Sequence, residues 1–454
     1  MSSTNEVVVE NKMGVMPVNK LLLSMSLPMM ASMLIQALYN IVDSIFVARV
    51  SENALSAVSL AYPVQTLMIA LLGGTSVGMN ALLSRSLGEK DQEKVNQVAT
   101  NTVFVAGVIY FILLVMGIFL VEPFFYSQTS DPEIVEYGIE YLRVILCCSM
   151  GICAQFIFEK MLQSTGKTVC TMITQMTGAI INLILDPIFI FGYFGVPAMG
   201  VRGAAIATVA GQIIAGTLAF VMNVKMNHEV HLNFKGFRPS GHIIAQIYKI
   251  GLPSIVMQSI GSIMVYGMNQ ILMAFSSTAT AVFGVYFKLQ SFVFMPVFGM
   301  NNGLVPIVAY NFGARKKERL LKAFKLAVLY AEVIMVVGMI VCFLFTEQLL
   351  LMFDASEQML SIGVPALRII CIHFVLAGYD IIGGTLCQAL GNAVYSMITS
   401  ICRQLLVLLP VAFALSLMGN VNLVWWSFPI AELFAVVLNT IFLIKTNKNI
   451  ISKI

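Results

Sequence analysis

Two carboxylates embedded in apolar sequence are the side chains of this chain best placed to do chemistry. Asp43 ends the series Gln36, Tyr39, Asn40 and Asp43, whose i, i+3, i+4, i+7 spacing puts an amide, a phenol, a second amide and a carboxylate on one helical face. Asp186 stands one turn after Asn182 and directly before Pro187, whose ring removes a backbone donor and frees an upstream carbonyl. If the two acids share a pocket, their repulsion is relieved by taking up a proton or by coordinating a small hard cation. Sodium is one candidate, with Asp43, Asn182 and Asp186 as its oxygen ligands. Two plainer readings stay open: a hydrogen-bonded network that locks helices together, and, for Asp186, a helix-end turn before Pro187.

A different polar set lies later in the chain. His373 and Asp380 are seven residues apart, and Lys288, Arg403 and Glu432 occupy other apolar runs. Opposite charges buried together neutralise one another, so these residues read equally as an ion-pair network or as a substrate or proton path. With Tyr39, Gln65 and Gln290 they form the expected substrate cavity or second-lobe polar network. Glu332 and the pair Glu159-Lys160 read as structural, and Arg143 and Arg368 read as one anchoring contact made twice.

The elements that carry these residues follow from composition. The 454 residues are 59% hydrophobic and 11% charged, against about a quarter charged in a soluble domain. Apolar runs long enough to cross a bilayer can be laid at 21–47, 55–83, 96–121, 135–158, 168–191, 202–224, 247–275, 280–308, 322–345, 359–385, 393–417 and 422–444. The fold class expected is an all-α integral membrane protein of twelve transmembrane helices. Of the 26 Lys and Arg, 20 fall on the side of the two termini, two (Arg49 and Arg202) on the other, and four within or at the ends of spans. The positive-inside rule therefore places both termini in the cytoplasm, in a multi-pass inner or plasma membrane protein. The first twenty residues are polar and no cleavable signal peptide is expected.

The chain also repeats itself. Residues 27 to 166 return 225 positions later: Ala54 as Ala279, Gln65 as Gln290, Gly74 as Gly299, Gly78 as Gly303, Gly88 as Gly313, Gly166 as Gly391. An even number of spans per copy means that both copies enter the membrane in the same direction, as two parallel six-helix bundles. The expected division is a cytoplasmic segment at 1–20, a first lobe at 21–224, a linker at 225–246, a second lobe at 247–446 and a tail at 447–454. The acids break this symmetry, because the positions equivalent to Asp43 and Asp186 are Met268 and Val411, and Asp380 corresponds to Gln155.

Several function classes are disfavoured. The eight cysteines lie in apolar runs without a C-x-x-C pair, and His228, His231 and His242 sit in a polar connection, where solvated residues are the plainer reading than metal ligands. No Walker loop, H-E-x-x-H pair or G-x-S-x-G elbow is present, so no enzyme, no cofactor and no ATP-driven cycle is expected. The basic clusters read as anchors for anionic lipid, with the bilayer and not nucleic acid as partner.

The chain resembles the multidrug and toxic compound extrusion (MATE) family of secondary transporters over essentially its full length. The resemblance rests on Gln36 to Asp43 with Ser44, on Asn182 to Pro187, on Gly200 with Gly203 to Thr208, and on Pro306 through Asn311-Phe312-Gly313. It implies a V-shaped pair of bundles that exports bulky, often cationic organic compounds in exchange for protons or sodium. It also implies that Asp43, Asp186, Gln36, Asn182 and Thr208 form the cation site. Some members place a carboxylate in the seventh helix; this span offers Gln258, Asn269 and Gln270 and no acid, which leaves Asp380 as the nearest stand-in. The chain is expected to act as a monomeric cation-coupled antiporter by alternating access. The alternative is a flippase for a lipid-linked saccharide or peptide precursor, using Lys288, Arg403 and His373 to hold diphosphate.

Overall fold

The computed structural model describes residues 10–353 and 355–454; residues 1–9 of the expected 1–20 segment lie outside it. The first half contains α1 (Val18–Ala48), α2 (Glu52–Gly88), α3 (Gln92–Phe119), a bent α4 (Pro132–Cys147 and Met150–Ser164), α5 (Thr168–Phe191) and α6 (Gly200–Met226). The second contains α7 (Gly241–Met273), α8 (Ser277–Gly313), α9 (Lys317–Leu344), α10 (Glu357–Ala389), α11 (Ala393–Ser416) and α12 (Val421–Lys453). Every expected span is matched by one of these elements. The fourth, expected as a single helix, turns by 46° instead, because at Ser149 the ladder tightens to a bond from Ser149 N–H to the Leu146 carbonyl.

Repeated residues make repeated local structure. Ser51 and Ser276 cap α2 and α8 by accepting from the N–H groups of Ala54 and Ala279, and Asp131 and Ser356 cap α4 and α10 in the same way. Gly166 and Gly391 end α4 and α10 at φ of 88° and 86°, a left-handed conformation that an L side chain resists.

The two halves meet along a pseudo-twofold seam. A Cβ on Gly88 would strike the Tyr310 carbonyl, and one on Gly313 would strike the Arg85 carbonyl; residues 85 and 310 are themselves repeat partners. Gly74 lies against Ile255 while Gly299 lies against Met30, and Gly78 lies against Gly251 while Gly303 lies against Ser26. Each half also lends the start of its first helix to the other. Val18, Leu21, Leu22 and Met25 of α1 pack into the core of the second half, and Ile243 and Ile247 of α7 pack with Met79, Leu83 and Val95 of the first. All of these contacts involve the ends of α1, α2, α7 and α8 nearest the termini, so that end is closed.

The segment before α1 ties the closed end across the seam. Asn11 donates to both carboxylate oxygens of Glu229 (2.7 and 2.9 Å) and to the Thr165 carbonyl (3.1 Å), all in or next to the first half. On the other side Arg319 donates to the carbonyls of Met13 (3.1 Å) and Met16 (2.6 Å), and Lys316 to Glu10 (2.7 Å) and the Gly14 carbonyl (2.9 Å). Met13 is fully buried between them.

Candidate functional site

Close packing of α5 on α6 sets the site. Gly211 meets Gly178 and the Asn182 Cβ, Gly203 meets the Phe189 carbonyl, and α5 therefore lies near enough for Asn182 to reach Thr208. Asp186 and Asn182 are 0% and 2% exposed. Opposite them, α1 brings Asp43 into hydrogen-bonding range of Asp186 and Tyr39 into range of Thr208. Two carboxyl groups facing each other at that range require a proton or a cation between them. One oxygen on each, Asp43 Oδ1 and Asp186 Oδ1, is buried and has no other partner, which fits the oxygen-only donor set of sodium as well as a shared proton.

Asn182 ties the acid to α6: its amide nitrogen donates to Asp186 Oδ2 (3.0 Å) and its oxygen accepts from the N–H (3.0 Å) and the hydroxyl (3.1 Å) of Thr208.

The structure draws the boundary of this site differently from the sequence. Tyr141 of α4, not anticipated, is 4% exposed, close to both acids and bonded through its hydroxyl to Gln65 Nε2 (3.0 Å). Gln65 therefore belongs to the first-half site. Gln36 and Asn40 are exposed, and their side chains are bonded to neither acid among the described residues, because the helical stripe spans enough arc to put them beyond the Tyr39-Asp43 edge.

In the second half, Arg403 bonds Glu432 (3.1 Å) and lies 3.7 Å from Asp380. Arg403 sits in a π-helical stretch of α11, Cys402–Leu408, whose wider winding redirects a side chain toward the bundle interior. His373 is bonded through Nδ1 to the Ile370 carbonyl (2.6 Å) and surrounded by Phe294, Phe374 and Phe428. Lys288 is exposed and rests 5.7 Å from the Phe353 ring, apart from this cluster, and Gln290 is half-buried. A diphosphate cradle does not result, since Arg403 is already committed to two carboxylates and Lys288 does not converge with it. The paired arginines also differ: Arg143 bonds Glu122 (3.4 Å), while Arg368 lies over Phe343. Their surroundings diverged although their positions did not.

Glu159 and Lys160 do structural work of different kinds. Glu159 accepts from Gln155, Thr174 and Gln175 inside the first half. Lys160 reaches across the seam to Asn302 Oδ1 (2.7 Å).

Comparison with known proteins agrees with this organisation. The sequence profile of the MatE family matches residues 28–188 and 253–414, one match in each half. The multidrug export protein MepA of Staphylococcus haemolyticus (strain JCSC1435) is 27% identical over 414 residues, covering 91% of this chain and 90% of that protein. MepA of Staphylococcus aureus (strain N315) is 27% identical over 417 residues, covering 92% and 91%. Among solved structures, the outward-facing conformation of a multidrug resistance MATE family transporter of the MOP superfamily superposes with a TM-score of 0.92 at 25% identity, covering 98% of this chain and 99% of that one. A MOP superfamily transporter from Pyrococcus furiosus Vc1, described as having reversed polarity in its binding pocket, gives 0.90 at 26% identity over 97% and 98%. The likenesses to the MepA proteins and to the multidrug resistance transporter support multidrug efflux and lend none to the flippase reading, whereas the Pyrococcus furiosus transporter, whose pocket suggests a different function, adds the fold alone.

Proposed function

Because this chain belongs to the MATE family of multi-pass membrane transporters, which export drugs and are not enzymes, we propose that it is a cation-coupled antiporter working by alternating access. The termini then face the cytoplasm of a cell whose plasma or inner membrane holds the protein, and the exported compounds are bulky organic molecules, many of them cationic. The observation that carries the coupling is the Asp43-Asp186 pair, two neighbouring carboxyl groups on α1 and α5, each with a buried oxygen, Oδ1, that has no hydrogen-bond partner.

The seam is shut at the end bearing the termini, and we infer that the site is reached from the opposite side. A proton or sodium ion entering from there is held between Asp43 and Asp186. Loading removes the repulsion between the acids and lets α1 and α5 settle together. Because α1 begins inside the core of the other half, a change in its seating acts directly on the seam. Coupling requires that the cation bind the two states with different affinity, and α1 is the element that both the site and the seam share.

The test is efflux from proteoliposomes under imposed proton or sodium gradients. Wild-type protein is expected to accumulate or expel a cationic dye according to one of the gradients, and Asp43→Asn is expected to abolish that dependence. Wild-type gradient dependence retained by Asp43→Asn would remove the proposal.

A further inference from the structure

We propose that the connection between the halves and α3 form a binding site for one anionic phospholipid, with an acyl chain in the groove beside Gly107 and the headgroup phosphate at Lys235 and Arg238. The connection, residues 227–240, does not hang free. His231 N–H bonds Asn96 Oδ1 (2.8 Å), Asn233 N–H bonds Thr100 Oγ1 (3.4 Å) and Ser240 N–H bonds Asn101 Oδ1 (2.8 Å), so polar residues in the first turns of α3 fix its backbone. At 1.5 Å per residue, Asn101 lies roughly 13 Å and Gly107 roughly 22 Å from the start of α3. The connection is thus held where α3 passes from headgroups into hydrocarbon.

Its side chains divide at that level. Phe237 packs 5.9 Å from Phe104 and Phe234 packs 6.2 Å from Phe237, which builds an aromatic wall. Between that wall and Val108 and Phe111 runs an apolar groove of about 440 Å³, a size suited to one long acyl chain. Gly107 forms its floor, and a Cβ there would meet nothing within 4 Å. Lys235 and Arg238 alternate with the two phenylalanines, are exposed, and among the described residues have no carboxylate within ion-pair distance. An apolar slot walled by Phe234 and Phe237, with an unpaired cation next to each of them in the chain, matches an anionic diacyl lipid in shape and in charge.

Native mass spectrometry on the full-length protein, exchanged into mixed phosphatidylglycerol and phosphatidylcholine with identical chains, tests this. Wild type is expected to retain one phosphatidylglycerol in preference to phosphatidylcholine, and Lys235→Gln with Arg238→Gln to reduce that preference roughly tenfold. Gly107→Leu, which fills open space and leaves the helix intact, is expected to lose retention of both lipids. Gly284→Leu, at a second glycine with open surroundings, is the control and should retain lipid as wild type does. Equal retention of the two lipids by wild type, or wild-type retention by Gly107→Leu with an unchanged unfolding temperature, would overturn the assignment.

Discussion

Adding a single methyl group at the seam should shift the population of the closed state. A Cβ on Gly78 would overlap the Ile247 carbonyl and press on Gly251 N at 3.2 Å, both backbone atoms that cannot swing away. Its repeat partner Gly303 faces the backbone of Ser26 at 2.9 Å and its hydroxyl at 2.7 Å. Overpacking of this kind costs about 1–3 kcal/mol, and the cost falls on the closed seam alone because separating the halves relieves it. Gly78→Ala and Gly303→Ala should each reduce the closed population about 5- to 150-fold relative to the open one. The assay is a spin-label distance between Glu93 and Glu318, exposed repeat partners on the closed end, recorded in nanodiscs. Gly107→Ala, which adds the same methyl in open space, should leave the distribution unchanged. If Gly78→Ala kept the wild-type distance while remaining folded, the seam would not be the surface that opens, and the conformational part of the proposal would fail.

Three further substitutions probe the tie and the second half. Arg319→Ala removes donors to Met13, Met16 and Asn311, about 2 kcal/mol after allowance for partial exposure, and should speed amide exchange in residues 10–16 roughly thirtyfold; unaltered exchange would show that the tie is held elsewhere. Burial raises the Glu229 carboxyl above its ordinary 4.5, opposed by the Asn11 amide. A group bound more tightly to its proton in the folded state stabilises the fold below its ordinary value and loses that contribution as pH rises through the raised one. Wild type should therefore unfold at a lower temperature as pH climbs through that window, and Glu229→Gln should flatten that component of the profile; matching profiles would contradict this. Arg403→Met strands Glu432 and Asp380 in the second half and should cost about 3–5 kcal/mol, largely recovered by adding Glu432→Gln, whereas a fall in stability that the second change deepens would mean the arginine matters for packing alone.

Much of this architecture was legible because hydropathy runs and the 225-residue offset are one-dimensional properties. The spans, the two copies and the two acids of the first half needed only composition and spacing. What stayed hidden required knowing which neighbour a face meets. Tyr141 lies in a half-helix of mixed polarity, and nothing in its spacing to other polar residues marks it; only the fold brings its hydroxyl to Gln65. Gln36 and Asn40 share a nominal stripe with Asp43, yet a stripe of four residues is broad, and the partner helix covers one edge of it. The exchange of α1 and α7 starts between halves was invisible for the same reason, since an apolar turn packs equally well against either bundle. The lobe boundary drawn at residue 21 follows the chain, whereas Leu21 and Leu22 follow the core of the other half.

The division between repeated and unrepeated residues now has a physical content. Gly74, Gly78 and Gly88, with their partners 225 residues on, line the seam. A seam built from paired contacts opens most readily as a unit, because any motion that breaks Gly88 against Tyr310 strains Gly313 against Arg85. A symmetric interface of this kind has no preferred side from which to be driven. The drive has to come from an element found in one copy only, and Asp43 and Asp186 satisfy that condition, with Met268 and Val411 in the matching places. The second half answers with two carboxyl groups, Asp380 and Glu432, that share the single guanidinium of Arg403. Placing Asp in the second copy at Met268 should accordingly not create a second coupling site: α11 carries Val411 and not an acid at the partner position, and Met268 is fully buried in the apolar core. The expected result is loss of stability with coupling stoichiometry unchanged, measured as ions moved per dye; a doubled stoichiometry would show that the scaffold alone, and not its asymmetry, determines where the ion binds.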